Sequence, residues 1–169
     1  MKVLLRRALP EDLDYLHALG THAEVDPFLA AVRDRSREGL LAEIRRSAAE
    51  PERCGRFVIE CDGAPAGTVA YELVNERSAI VEIRNLAVHP DFRGRGVALE
   101  AARLVQQELV GERGFHRLQL EVYGFNVRAQ EHFERAGYTR EGVRRNAYRY
   151  GDGWTDGVLF GFVAEDLSG

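Results

Sequence analysis

The chain of 169 residues contains one tryptophan, one methionine, two cysteines (Cys54 and Cys61) and a single lysine, Lys2. Two thiols are too few for a disulfide framework, and no further ligands accompany them in a zinc pattern, so a reduced compartment is expected. Without a lysine beyond Lys2, a Gly-Lys-Ser/Thr phosphate loop cannot exist. No apolar run approaches the ~18 residues that a bilayer crossing needs. The opening Met1-Lys2-Val3-Leu4-Leu5-Arg6-Arg7 sets arginines where a secretion signal would carry its apolar centre. A cytoplasmic protein with no membrane contact is therefore expected. Basic excess is missing too: 23 Lys and Arg against 27 Asp and Glu leave a net charge of −4, which argues against a nucleic-acid module. The histidines at 17, 22, 89, 116 and 132 show no ligand spacing beside a carboxylate or thiol, so no metal is expected.

What is present is the composition of a soluble globular protein, 45% hydrophobic and 30% charged. With no repeat, linker or low-complexity tract, residues 1–169 read as a single domain. Val3 to Ala8 reads as a strand, and Pro10-Glu11-Asp12 opens a helix followed by Leu13, Leu16 and Leu19 at helical spacing. A second helix is expected from Gly39 to Ala49, after an irregular, polar stretch from Thr21 to Arg37. Arg56 to Cys61 then alternates as a strand, with Asp62-Gly63 as a hairpin turn into Thr68 to Tyr71. Another strand covers Ala79 to Val88. Gly96 to Val110 returns to the helical period through Val97, Ala101, Leu104, Val105 and Leu109. Leu118, Leu120 and Val122 mark a fifth strand, Asn126 to Ala136 a short helix, and two last strands join across Gly151-Asp152-Gly153. The order βααβββαβαββ, with a strand–helix–strand passage, predicts an α/β (α+β) domain whose mixed sheet contains one local parallel pair and carries helices on both faces.

The stretch richest in chemistry is Asn85-Leu86-Ala87-Val88-His89-Pro90-Asp91-Phe92-Arg93-Gly94-Arg95-Gly96-Val97-Ala98. It sets a glycine-rich turn between a strand and the start of an amphipathic helix. Backbone N–H groups exposed there, with the positive end of the helix dipole, can hold a pyrophosphate. The dinucleotide fingerprint does not fit, because its third glycine is replaced by Leu99. In the preceding strand, apolar residues occupy odd positions at Val81 and Ile83 and even ones at Leu86 and Val88. Such a slip of phase is what a β-bulge produces, although a strand buried on both faces would look similar.

Arg93-x-x-Gly96-x-Ala98 resembles the Arg/Gln-x-x-Gly-x-Gly/Ala pattern of the GNAT superfamily of acyl-CoA-dependent N-acetyltransferases. Leu120-Glu121-Val122-Tyr123-Gly124-Phe125-Asn126-Val127-Arg128-Ala129 and Phe133-Glu134-Arg135-Ala136-Gly137-Tyr138 are similar to the segment that follows in that family. The resemblance extends to the branch acting on ribosomal-protein N-termini and small amines. It implies a GNAT-like mixed, mostly antiparallel sheet and acetyl-CoA as cosubstrate. Arg93, Gly94, Arg95, Gly96, Val97 and Ala98 would form the pyrophosphate cradle. Leu86, Ala87 and Val88 would meet the pantetheine arm as an added strand does, and Asn126, Ala129 and Phe133 would complete the cofactor set. Asn126 reads equally well as a helix N-cap.

Acetyl transfer to an amine requires a base for the ammonium proton and a donor for the developing oxyanion. The family pattern offers Glu82 and Glu121 as bases and the Val88 N–H as donor; each glutamate also reads as an outward-facing strand residue. The family's usual tyrosine acid is replaced by Phe133, which leaves Tyr123, Tyr138 and Tyr148 as possible donors. The acceptor would be a small-molecule amine or a protein N-terminus, bounded by Thr21 to Arg37 and Arg144 to Trp154, where Glu24, Asp26 and Asp34 could attract a cation. A domain that binds acyl-CoA without turnover is the competing expectation. A homodimer is expected from the resemblance and from the aromatic residues Tyr148, Tyr150, Trp154, Phe160 and Phe162 of the last two strands.

Overall fold

Alternation sets the sheet. In the second strand, Phe57 and Ile59 enter the larger core beside Val97, Ala101 and Val105, while Val58 between them packs with Leu16, Leu40 and Ile44 on the opposite face. A computed structural model describes residues 1–29 and 36–168. Its elements are β1 (Val3–Arg7), α1 (Leu13–Gly20), α2 (Arg37–Ala49), β2 (Cys54–Cys61), β3 (Ala64–Asn75), β4 (Ile80–Val88), α3 (Val97–Gln106), β5 (Arg117–Tyr123), α4 (Val127–Arg135), β6 (Thr139–Tyr150) and β7 (Gly153–Val163). This is the expected order, and helices cover both faces. Asp34 lies outside the described residues.

The strands form one sheet in the order β1-β2-β3-β4-β5-β7-β6. Its single parallel pair is β4 with β5, matched only at Ile80–Arg117, Val81–Leu118 and Glu82–Gln119. Beyond Glu82 the two strands part, because β5 continues along β7 as far as Tyr123–Gly157 while β4 follows β3. A gap in the middle of the sheet results.

The phase slip in β4 is a bulge. Thr68 faces Ala87 whereas Ala70 faces Arg84, so β4 holds one more residue than β3 over that interval, and Asn85 takes φ +54°. The Asp62-Gly63 turn joins Cys61 to Ala64 with both residues at positive φ (51° and 83°), the hairpin geometry whose twist suits the flanking strands.

Two expectations change. The third helix was expected to run to Val110, but regular α-geometry stops at Gln106 and a wide π-turn covers Gln107–Glu112, keeping Leu109 and Val110 buried. Phe160 and Phe162 are core residues at 0% and 3% exposure, so they contribute no outer aromatic surface; Tyr150 and Trp154 do. Strand β6 is an outer edge strand, and exposed along most of its length. Among the described residues no helix is long and apolar enough to cross a membrane.

Candidate active site

The gap between β4 and β5 opens into a cleft of about 800 Å³. At one end lies the glycine turn. Pro90–Phe92 makes a short 3-10 turn, after which Gly94 (φ +76°) and Gly96 (φ +79°) adopt left-handed conformations and Val97 begins α3. Only glycine takes those angles cheaply. A Cβ built on either glycine would meet nothing within 4 Å, so the turn borders open space that a ligand can enter. Arg93, Gly94, Gly96, Val97 and Ala98 all line the cleft. Arg93 is held there by a bond from its Nη2 to the Glu24 carbonyl (2.9 Å). Arg95 differs from expectation. Its guanidinium lies over the Phe92 ring, 5.5 Å from the centroid, and it does not border the cleft.

Leu86, Ala87 and Val88 line the same cleft from β4. The His89 N–H donates to the Ala66 carbonyl (2.8 Å) across the β3–β4 ladder. Antiparallel pairing alternates, so the N–H of Val88 turns away from β3 and toward the gap. Close approach of β3 here depends on Gly67, where a Cβ would collide with the Ala87 carbonyl.

From the far side, α4 contributes Asn126, Ala129 and Phe133. Asn126 is the N-cap, its Oδ1 accepting the Ala129 N–H (3.1 Å). Phe133 is 6% exposed and packs edge-on to Tyr138 while still touching the cleft. His132 was missed by the sequence analysis, where it was one scattered histidine. It lines the cleft with its Nε2 buried and unpartnered, and burial, aided by Arg135, lowers its pKa from 6.5 to about 4. The ring is therefore neutral near pH 7. No local sequence pattern marks it.

Both candidate bases line the cleft. Glu82 accepts a bond from Arg84 Nε (2.8 Å), and Arg84 also reaches Glu72 on β3. Glu121 Oε1 accepts the Tyr148 hydroxyl across the β5–β7–β6 face. Its Oε2 is buried without a hydrogen-bond partner; Arg144 Nε approaches it to 3.2 Å, near enough to pair charges but not aligned as a donor. Gly157 makes room for this carboxylate, because a Cβ there would strike Glu121 Oε2. Tyr148 is pushed up to about 12, first by burial and then by Glu121.

The structure separates the three tyrosines. Tyr148 reaches the cleft, while Tyr123 packs edge-on to its ring at 5.3 Å and does not line it. Tyr138, expected among the catalytic residues, stands in the core at 5% exposure against Phe133 and Phe162, and burial raises its pKa. It does not border the cleft, so proton donation from Tyr138 is corrected to a packing role.

Comparison with known proteins agrees with this geometry. Residues 16–138 match the model of the acetyltransferase (GNAT) family. The chain is 29% identical over 146 residues to a spermidine N(1)-acetyltransferase of Escherichia coli, covering 83% of this chain and 74% of that one. It is 28% identical over 147 residues to a putative ribosomal-protein bS18-alanine N-acetyltransferase of Bacillus subtilis, covering 87% of each. Among solved structures, a Vibrio cholerae spermidine N-acetyltransferase in complex with CoA and spermine superposes with TM-score 0.87 over 99% of this chain and 98% of that one, at 18% identity. The chain belongs to the GNAT family and is an N-acetyltransferase of that type.

Proposed function

We propose that the protein transfers an acetyl group from acetyl-CoA to a primary amine by direct attack on the thioester, with Glu121 as general base. The observation that carries the proposal is one cleft bordered at one end by the open Gly94–Gly96 turn and at the other by both glutamates and Tyr148. The turn and the α3 N-terminus would hold the pyrophosphate, and the outward N–H of Val88 would meet the oxyanion as it forms.

An ammonium has no lone pair, so its proton must leave before attack. Glu121 is favoured over Glu82 because Oε2 is buried with an unused lone pair while Tyr148 holds Oε1 in place. Glu82 is bound to Arg84 and stands nearer solvent, with its side chain 35% exposed. Tyr148, with its raised pKa, keeps its proton near neutral pH and serves to position the base. Phe133 cannot donate to the departing sulfur. A thiolate of pKa about 8.5 is a tolerable leaving group without help. The reading also includes a homodimer, supported by the exposed Tyr150 and Trp154 of the β6–β7 hairpin, and a cytoplasmic setting that rests on sequence alone.

The test is release of CoA thiol from acetyl-CoA across a panel of small amines, polyamines and peptides with free N-termini. Release matched by an equal amount of acetylated amine is expected for at least one class. Tight acetyl-CoA binding with no release on any amine would refute the proposal. A solution-scattering mass that stays monomeric at every concentration would remove the dimer.

A further inference from the structure

We infer that the acceptor is a primary amine carried on an aromatic or flat apolar body, selected by Phe28, Phe125 and Tyr148; this rests on the acetyl-transfer reading above. The three rings come from distant parts of the chain. Phe28 ends the 3-10 turn Asp26–Phe28, Phe125 joins β5 to α4, and Tyr148 lies on β6, yet all three line the one cleft. They belong to a continuous array. Phe125 stands 5.9 Å from Phe28, stacks on Tyr150 at 4.3 Å and on Tyr123 at 5.3 Å, and Tyr123 meets Tyr148 edge-on at 5.3 Å.

This array leads to the base. The Tyr148 hydroxyl donates to Glu121, so an amine placed at Glu121 has its body lying along the rings behind it. Phe28, which lines the cleft, remains 46% exposed. Aromatic residues lining the same cleft as a carboxylate favour a ring or flat apolar body, and aromatic faces attract an ammonium before it loses its proton.

Of the described carboxylates that line the cleft, Glu121 has Arg144 at 3.2 Å, while Glu82 shares Arg84 with Glu72.

The experiment measures kcat/KM by thiol release for 2-phenylethylamine, n-propylamine, spermidine and a peptide beginning with alanine. The expected result is a preference for 2-phenylethylamine of about tenfold or more over each of the others. Phe125→Ala should lower kcat/KM for 2-phenylethylamine by about 10- to 100-fold, and for n-propylamine by a much smaller factor. Phe28→Ala, on an exposed ring, gives the same readout if the first variant misfolds. Preference for spermidine or the peptide, or an equal loss on every amine in the variants, overturns the inference and leaves acetyl transfer standing. Absence of acetyl-CoA binding, or of turnover on any amine, overturns the underlying reading and this one with it.

Discussion

At the phosphate end of the cleft, Arg93 to Ala98 are six consecutive residues, and their function would be performed by backbone N–H groups and two left-handed glycines. At the acceptor end, Phe28, Glu121, Phe125 and Tyr148 come from a loop, a strand, a connection and an edge strand. The first end needs only the correct backbone angles, so a short motif is enough to specify it. The second end depends on side chains delivered by separate elements, and it exists only because β5 leaves β4 to follow β7, with β6 outside it.

Substitutions can break this division. Glu121→Gln should act at the acceptor end alone, lowering turnover by about 10²–10⁴-fold. The loss should shrink as pH rises and more amine is already neutral, and acetyl-CoA affinity measured by calorimetry should not change. A larger loss in Glu82→Gln than in Glu121→Gln would transfer the base to β4.

Gly96→Val should act at the other end. The β-branched side chain is strained at φ +79° and fills the open space beside the turn, so acetyl-CoA affinity should fall roughly 100-fold, about 2.7 kcal/mol. Circular dichroism should report an intact fold, because no protein atom lies within 4 Å of the new Cβ. Unchanged affinity in the folded variant would remove the cradle assignment.

His132 tests whether the cofactor end holds more than its motif. Its pKa in the folded chain lies near 4 and below the ordinary 6.5, so the unfolded chain takes up a proton that the folded chain refuses. Stability present above pH 6.5 should therefore fall on acidification toward pH 4. Relative to His132→Gln, which does not titrate, denaturant unfolding should show the parent losing about 1–2 kcal/mol across that range, after allowance for partial solvent contact. Parallel stability curves for the two proteins would show that the imidazole is not held neutral.

The smallest effect is expected from Phe133→Tyr, which restores the hydroxyl of the family pattern. Turnover should change by less than about tenfold, because the thiolate leaves unaided near neutral pH. A gain of about a hundredfold or more would mean that proton donation limits the natural protein.

Parts of the local geometry around the cleft were legible in residue order. The β4 bulge followed from the shift of apolar phase between Ile83 and Leu86, and the N-cap role of Asn126 from its place before a helix. The roles of the tyrosines were not legible. Tyr138 and Tyr148 are both strand-region aromatics in sequence, yet one is enclosed between Phe133 and Phe162 and the other reaches Glu121 across β7. Arg95 likewise sits inside the motif but turns onto Phe92, because a motif constrains the backbone and leaves a long side chain free to find its own neighbour.

By itself, then, the sequence determined the order of elements, the single parallel pair and the glycine turn before α3, since each is encoded by local periodicity, turn chemistry or glycine angles. Tertiary structure decided which glutamate keeps a buried lone pair, which tyrosine stands beside it and which rings line the cleft. Those choices depend on strand pairings between residues far apart in the chain, and a one-residue change of register would turn every such side chain to the opposite face.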